Sequence, residues 1–269
     1  MESKKQVSLE EISKLEPPYF ELQAYWGITK HYGGLKATRE LIELCHINKG
    51  KYVLDVGCGV GVTSCCLAKR YGCRVVGVDL SERMIDRSNE RAKREGVEDR
   101  AEFRVADAQN LSFEDILFDV VICESVNAFV EDKQRAVSEY VRVTKPGGYI
   151  GLNECTWIKA PPPTELVEYL SRIVGVKEIL TSDGWQELLG GSGLRETVAR
   201  IYKTNALGQF INRIRQLGLK DYLRGWHRFL SLYIASPSFR RFIKEGWPPK
   251  NISKSFFGYL GYGIYVGRK

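Results

Sequence analysis

Short apolar runs alternate with amphipathic stretches from residue 52 to residue 155 of this 269-residue chain. The apolar runs predict strands, whereas apolar positions three and four residues apart predict helices. Strands are predicted at 52–56, 73–80, 101–107, 118–125 and, after a turn, within 145–154. Helices are predicted at 35–47, 62–71 and 133–144, and a further helix, capped by Ser81, is predicted to run to about residue 95. This alternation predicts an α/β fold, in which a parallel sheet carries helices on both faces.

The pattern changes on either side of this region. Near the start of the chain, residues 8–16 are predicted to be helical. Later helices are predicted at 164–173, 182–190 and 205–257, and later strands at 194–203 and 261–269. We expect these two strands to pair as a hairpin, with the helices of 205–257 inserted between them as a cap.

The charge is distributed unevenly along the chain, although the net charge is only +7. Residues 198–269 hold 14 basic and two acidic residues, a net charge of +12. Residues 1–197 hold the other 26 basic and 31 acidic residues, a net charge of −5. The basic segment also holds 14 of the 30 aromatic residues. The C-terminal part is therefore expected to meet an anionic or interfacial partner.

Composition argues against several classes of protein. No apolar run approaches the roughly 18 residues that cross a bilayer, and the N-terminal residues lack the apolar core of a signal peptide, so a cytoplasmic location is predicted. The seven cysteines are odd in number, and no pair has the CxxC spacing. Neither a disulfide framework nor a metal site is expected from them.

The stretch "LDVGCGVG" at residues 54–61 is a candidate ligand loop. Gly57, Gly59 and Gly61 let the backbone turn sharply and approach a ligand closely, and the helix that follows points free N–H groups towards it. Asp55 in front of the loop disfavours a pyrophosphate, because like charges repel. A ligand with an ammonium group suits this carboxylate better.

Two further strand ends carry carboxylates. Asp79 lies 20 residues after Gly59, at the end of the second strand, where a carboxylate can bind two ribose hydroxyls. Leu80 can lie against a purine ring, and Asp107 with Ala108 can hold an adenine amino group. A ligand with a ribose, an adenine and an amino-acid-like cation, but no phosphate, is S-adenosylmethionine.

With these residues the chain resembles the class I, Rossmann-like S-adenosylmethionine-dependent methyltransferases, in particular the small-molecule, sterol and quinone group. The resemblance rests on "VLDVGCGVG", "VVGVDLS", "VADAQNL", "FDVVICESV" and "VTKPGGYI", which follow one another within residues 52–155. It implies a doubly wound, seven-stranded sheet, mostly parallel with a C-terminal antiparallel hairpin. It also implies an N-terminal helical segment covering the cofactor (1–48), a core (49–203 and 258–269) and a basic, aromatic cap (204–257).

The resemblance also implies roles for individual residues. It places the cofactor against Tyr25, Trp26, Asp55, Gly57, Cys58, Gly59, Gly61, Asp79, Leu80, Met84, Asp107, Ala108 and Glu124. The candidate catalytic residues are His31, Tyr32 and Glu124. His31 is interpreted either as a general base or as a histidine packed among tyrosines, and both interpretations stay open. Glu154 is interpreted either as a residue that faces the acceptor or, as the favoured expectation, as a solvated loop carboxylate. Cys58 is expected to be a small residue without a chemical role.

The predicted function is transfer of a methyl group from S-adenosylmethionine to a small-molecule or lipophilic acceptor by in-line displacement, which leaves S-adenosylhomocysteine. A catalytically silent S-adenosylmethionine-binding partner protein is the alternative. An RNA methyltransferase is less favoured, since "ESVN" rather than an "NPPY"-type signature follows the fourth strand. The cap is interpreted as a lid, as a membrane-surface contact or as an RNA contact, and the oligomeric state is not predicted.

Overall fold

A computed structural model describes Gln23 and residues 31–269. The helix predicted at 8–16 and two of the predicted cofactor residues, Tyr25 and Trp26, lie outside the described residues. The elements of the described part follow the predicted order from residue 34 to residue 268.

Seven strands form one sheet with the order β3-β2-β1-β4-β5-β7-β6. They are β1 (Tyr52–Val56), β2 (Arg74–Asp79), β3 (Ala101–Val105), β4 (Phe118–Glu124), β5 (Thr144–Trp157), β6 (Arg195–Lys203) and β7 (Leu260–Arg268). The first five strands run parallel to one another, and β7 runs antiparallel to both β5 and β6. The predicted doubly wound sheet with a C-terminal antiparallel hairpin is therefore confirmed.

Helices cover both faces of the sheet and fill the interval between β6 and β7. They are α1 (Gly34–Leu44), α2 (Val62–Cys66), α3 (Glu82–Glu95), α4 (Lys133–Val143), α5 (Thr164–Tyr169), α6 (Ser182–Gly191), α7 (Ala206–Leu217), α8 (Leu219–Ala235), α9 (Pro237–Gly246) and α10 (Lys250–Tyr259). Two helices predicted as continuous, 62–71 and 164–173, pass instead into wider π-helical turns, Leu67–Tyr71 after α2 and Leu170–Val174 after α5. Apolar periodicity does not distinguish these turns from the α-helix that they extend.

The central strands are buried on both sides because each alternates its side chains between two apolar layers, whereas the edge strands β3 and β6 are largely exposed. Val53 of β1 packs in one layer with Leu41 and Ile264, and its neighbour Leu54 packs in the other with Tyr140 and Trp185. This burial explains why β1 and β4 read as continuous apolar runs. The carboxyl ends of the parallel strands lie at one edge of the sheet, and polar side chains are concentrated there.

Local capping fixes where the helices begin. Ser81 accepts a hydrogen bond from the backbone N–H of Met84 at the start of α3, as predicted, and Asp132 accepts one from Arg135 at the start of α4. None of the helices in the described part is both long enough and apolar enough to span a membrane.

Candidate active site

The glycine loop connects β1 to α2 and has backbone angles that glycine adopts easily. The φ angle is +71° at Gly57, and a Cβ there would collide with the side chain of Val126. Backbone N–H groups of Gly57 and Cys58 both donate to the carbonyl of Val78, at 2.7 and 2.9 Å. The loop is thus fixed to the end of β2 and pressed against the segment after β4.

Asp79, at the end of β2, holds the same loop through its carboxylate. Its Oδ2 accepts a 3.0 Å hydrogen bond from the backbone N–H of Gly59, and its Oδ1 accepts one of 3.0 Å from Ser81. A carboxylate has about four lone-pair positions, so each oxygen can accept more than one hydrogen bond. Sequence spacing predicted a ribose-binding role for Asp79, but its contact with the loop could not be read from the sequence.

Asp55 is buried beneath this loop rather than facing open solvent. It is 2% exposed, and its Oδ2 accepts a 2.5 Å hydrogen bond from the hydroxyl of Ser64 in α2. Burial is the main reason that the pKa of Asp55 is raised to about 7, and the charges of Glu124 and Asp79 add to the rise. The structure therefore ties Asp55 to the start of α2, and its direct contact with a cofactor stays a prediction.

The carboxylate of Asp107 follows β3 and shapes the turn there. Its Oδ1 accepts a 2.9 Å hydrogen bond from the backbone N–H of Gln109. Ala108 beside it is buried in the apolar layer that contains Leu54. Leu80, after β2, has a side chain that is 70% exposed, which leaves its face available for a planar ring. The adenine-binding roles of these residues stay predictions.

Met84 and the glycine loop are both in contact with the cap. Met84 packs in a buried cluster with Val60 of the loop, and Leu217 and Tyr222 of α7 and α8 belong to the same cluster. The cap is therefore anchored next to the candidate cofactor site.

The thiol of Cys58 lies inside the loop but is not suited to nucleophilic chemistry. It is 6% exposed, and burial raises its pKa well above the ordinary value of a thiol. A neutral thiol is a poor nucleophile, so this geometry agrees with the expectation that Cys58 has no chemical role. Contact between Cys58 and the cofactor stays a prediction.

Glu124, the last residue of β4, is the centre of a buried hydrogen-bond cluster. Its Oε1 accepts a 2.8 Å hydrogen bond from the hydroxyl of Thr63, and its Oε2 accepts bonds of 3.0 Å from Thr38 and 3.1 Å from Asn153. The Nε2 of His31 lies 3.6 Å from the same Oε2. We name these five residues the Glu124 cluster. It joins the segment before α1 to α2, β4 and β5.

His31 and Tyr32 are both attached to this cluster. The His31 Nε2 lies 3.0 Å from the Thr38 hydroxyl, so Thr38 and Glu124 together orient the imidazole. The backbone N–H of Tyr32 donates to the Ser125 hydroxyl at 3.2 Å, and its carbonyl accepts from Asn153 at 2.9 Å. The structure thus brings all three candidate catalytic residues to one place at the edge of the sheet.

Ser125 turns the chain sharply after β4. Its φ angle is +62°, a left-handed conformation that is uncommon for residues other than glycine. Its backbone N–H donates to the Asn153 carbonyl at 2.7 Å, which holds this turn against β5. Backbone strain of this kind is concentrated at functional sites.

The expectation that Glu154 is a solvated loop carboxylate is wrong. Glu154 lies within β5 and is fully buried, and its Oε1 accepts hydrogen bonds from the N–H groups of Val126 and Asn127 at 3.0 and 2.8 Å. Because β5 extends to Trp157, residue 154 is in the sheet rather than in a loop. Burial raises the pKa of Glu154 to about 7 in spite of the hydrogen bonds that it accepts.

Sequence reasoning missed four polar residues of this edge: Thr38, Thr63, Asn153 and Asn127. Thr38 is 86 positions from Glu124 along the chain, and Thr63 is 61 positions from it. No local pattern marks such partners. The one available signal is that Asn153 lies in an otherwise apolar run that reads as a buried strand, where a polar side chain needs a partner.

The residues at this edge fit S-adenosylmethionine. The loop has no room for a side chain at Gly57, the Asp79 carboxylate lies beside the loop, and Leu80 presents an exposed apolar face. The site lies at the carboxyl ends of parallel strands, the usual place of ligands in open α/β sheets.

Comparison with known proteins agrees with this geometry. Residues 54–152 match a family described as "Methyltransferase domain". This interval begins in β1 and ends in β5, so it contains the glycine loop, Asp79, Asp107 and Glu124. Residues 54–152 therefore form a methyltransferase domain, and the predicted resemblance and the S-adenosylmethionine cofactor are confirmed.

Two relatives and one solved structure illustrate the likeness. A Haemophilus influenzae protein described as uncharacterized is 35% identical over 166 residues, which cover 61% of this chain and 66% of that protein. Phosphoethanolamine N-methyltransferase 1 from Zea mays is 27% identical over 237 residues, which cover 88% of this chain but only 45% of the maize protein. A methyltransferase from Thiobacillus denitrificans, solved with S-adenosylhomocysteine, has a TM-score of 0.68 at 19% identity and covers 92% of this chain and 97% of its own. That similarity concerns the fold.

Proposed function

We propose that this protein transfers a methyl group from S-adenosylmethionine to a small-molecule or lipid-like acceptor. The observation that carries the proposal is the proximity of two sets of residues at one sheet edge. The glycine loop and Asp79 form the cofactor side, and the Glu124 cluster with His31 and Tyr32 forms the neighbouring acceptor side. Thr63 of α2, directly after the glycine loop, belongs to both.

S-adenosylmethionine supplies an activated methyl group on a sulfonium centre, so the protein mainly has to align the acceptor and exclude water. The Glu124 carboxylate accepts hydrogen bonds from three side chains, which uses much of its acceptor capacity. Glu124 therefore acts as a positioning residue that holds His31 in place, directly and through Thr38. His31 is the group that can accept a proton from an acceptor hydroxyl or ammonium group.

The acceptor side is bounded by aromatic residues. A buried cluster around Ala128, Cys155 and Leu166 is surrounded by partly buried rings from several elements. These rings belong to Tyr32, Phe129, Trp157, Tyr169, Phe256 and Tyr259. An acceptor with an apolar part fits such walls better than a polynucleotide does.

The relatives support a small acceptor. The maize relative is named for phosphoethanolamine, and a relative from Amycolatopsis mediterranei, 29% identical over 187 residues, is named 27-O-demethylrifamycin SV methyltransferase. The two names describe acceptors of different size and different methylated atom. The acceptor of this protein is therefore proposed as a class and not as one compound.

Methyl-labelled S-adenosylmethionine tests the proposal. The protein is incubated with polar metabolites (including phosphoethanolamine), lipids and RNA in separate fractions, and the label in each is counted. We expect label among polar metabolites or lipids, with an equal amount of S-adenosylhomocysteine released. Label in the RNA fraction would replace the proposal with RNA methylation. Cofactor binding without label in any fraction would favour the silent binder.

A further inference from the structure

The outer face of α8 is apolar although it faces solvent. Five residues of this helix, with exposed fractions between 45% and 77%, form the face. They are Leu219, Leu223, Trp226, Leu230 and Ile234. Their spacing of four, three, four and four residues places them along one side of the helix. We name them the α8 stripe.

Packing of the cap uses mainly residues of α8 outside the α8 stripe, although the Trp226 ring of the stripe contacts the rings of Tyr222 and Phe229. The opposite side of α8 supplies the buried residues Tyr222, Gly225 and Leu232, which face the rest of the protein. Exposed apolar residues scattered singly are normal on a protein surface, but a contiguous row of this length marks an interaction surface.

The neighbouring helix α7 extends the same surface. Leu207, Phe210 and Ile211 are exposed on α7, and the ring of Phe210 lies 6.1 Å from the ring of Tyr222 of α8. The ring of Trp226 follows at 6.2 Å from Tyr222. The exposed apolar residues of α7 and α8 therefore adjoin one another.

Cations accompany this surface, and acidic residues are rare near it. Residues 205–250 hold nine lysines and arginines but only two acidic residues, Asp221 and Glu245. Asp221 is already paired with Arg94 of α3 at 3.0 Å. Lys220 and Arg224 are exposed on the side of α8 that adjoins the stripe, where Arg224 also pairs with Asp221 at 3.2 Å. Arg240 donates to the carbonyl of Ile234 at 2.9 Å.

We infer that the α8 stripe and its flanking cations dock on a lipid surface that carries anionic headgroups. Leucine and isoleucine side chains enter the boundary between headgroups and acyl chains, while lysine and arginine pair with lipid phosphates and carboxylates. Docking of this kind is peripheral and requires no spanning helix. The inference does not depend on which acceptor is methylated, since it concerns the outer surface of the cap.

Two other occupants fit the surface less well. A second copy that docks through the same face would place the Lys220 side chains of both copies in an interface with few acidic residues, and like charges repel. Single-stranded RNA prefers aromatic platforms on which bases stack, whereas four of the five residues in the α8 stripe are aliphatic.

Vesicle co-sedimentation tests the inference with the full chain. Vesicles of phosphatidylcholine with phosphatidylserine are compared with vesicles of phosphatidylcholine alone. We expect binding to the anionic vesicles, weaker binding at high salt, and little binding to the neutral ones. The variant Leu223→Asp/Leu230→Asp is expected to lower the partition coefficient by at least about tenfold for each leucine replaced. Val198→Asp, which changes an exposed valine of β6, is the matched control and should bind as the unchanged protein does.

A second variant separates docking from a folding defect. Lys220→Gln/Arg224→Gln alters only exposed side chains and should also weaken binding to anionic vesicles by about tenfold. Circular dichroism and S-adenosylmethionine binding report whether each variant is folded. Absence of vesicle binding, or undiminished binding by both variants, would overturn the inference. So would a concentration-dependent dimer, or retention on RNA, that the leucine variant abolishes, because the occupant would then be a second copy or a nucleic acid.

Discussion

The backbone N–H of Gly59 donates a 3.0 Å hydrogen bond to Oδ2 of Asp79, across 20 residues of chain. The carboxylate predicted to bind the ribose therefore also fixes the glycine loop, which is predicted to contact the same cofactor. Because Asp79 accepts from Ser81 as well, one side chain links the end of β2, the loop and the start of α3. The two halves of the cofactor site are consequently built as a unit.

Gly57→Ala should lower the free energy of unfolding by more than the positive φ angle at residue 57 alone would cause. A Cβ at Gly57 would collide with Val126, and φ is +71°. The control is Gly96→Ala, because φ there is +67° and no atom lies within 4 Å of the added Cβ. We expect a loss of about 1 kcal/mol for the control and about 2–4 kcal/mol for Gly57→Ala in urea unfolding.

The double variant Gly57→Ala/Val126→Ala should be more stable than Gly57→Ala alone, because Val126→Ala removes the methyl groups that the new Cβ meets. Equal losses for Gly57→Ala and Gly96→Ala would show that the loop is not pressed against the segment after β4.

Removal of the Thr38 hydroxyl should lower turnover without a matching loss of cofactor affinity. Thr38 contacts both His31 and Glu124, so Thr38→Val releases the imidazole while it keeps the volume of the side chain. We expect kcat to fall roughly tenfold to a hundredfold, as small misplacements of reacting groups do. The measurement uses the acceptor fraction that takes up label.

Thr38→Ser keeps the hydroxyl and is the matched control, which should retain most of the activity. If Thr38→Val and Thr38→Ser lose turnover equally, the Glu124 cluster does not position the candidate base.

Stability should decline as the pH rises towards neutrality, in part because of Glu154. Its pKa is about 7 in the folded protein against an ordinary value of 4.5, so the folded state binds the proton more tightly than the unfolded state. The resulting stabilisation is complete below about pH 4.5 and is lost as the pH rises through about 7. Asp55, with a pKa also near 7, contributes in the same direction.

Glu154→Gln should flatten this dependence between about pH 5 and pH 8, by on the order of 1–3 kcal/mol. Its amide oxygen can still accept from Val126 and Asn127. The measurement is urea unfolding at about pH 5 and about pH 8. The control Glu114→Gln, at an exposed position, should have the same unfolding midpoints as the unchanged protein. A Glu154→Gln curve parallel to that of the unchanged protein would contradict the assigned pKa.

Local sequence patterns were sufficient to predict the framework of the fold. Apolar runs located the strands, and Ser81 marked the start of α3 because a side-chain cap acts within three residues. The order of motifs then placed Asp79 and Glu124 at the carboxyl ends of strands. These features depend on contacts between residues that are close along the chain or on the topology of a parallel sheet.

The interior of the site could not be predicted in the same way. Whether Glu154 faces water or the core depends on where β5 ends, and the sequence pattern placed that end three residues too early. The partners of Glu124 come from α1, α2 and β5, so they are defined only when the three elements pack. Hydrogen bonds across such distances in sequence leave no periodic signal.

Calorimetric titration with S-adenosylmethionine tests the central claim most directly. It is carried out on the unchanged protein, on Asp79→Ala and on the control Asp99→Ala. The Asp99 side chain follows α3 and is exposed. Hydrogen bonds to charged groups contribute about 1.5–3 kcal/mol each. We therefore expect Asp79→Ala to weaken binding by at least about tenfold and Asp99→Ala to leave it unchanged. Absence of binding by the unchanged protein, or equal affinity of Asp79→Ala, would contradict the assignment of the cofactor site to this edge of the sheet.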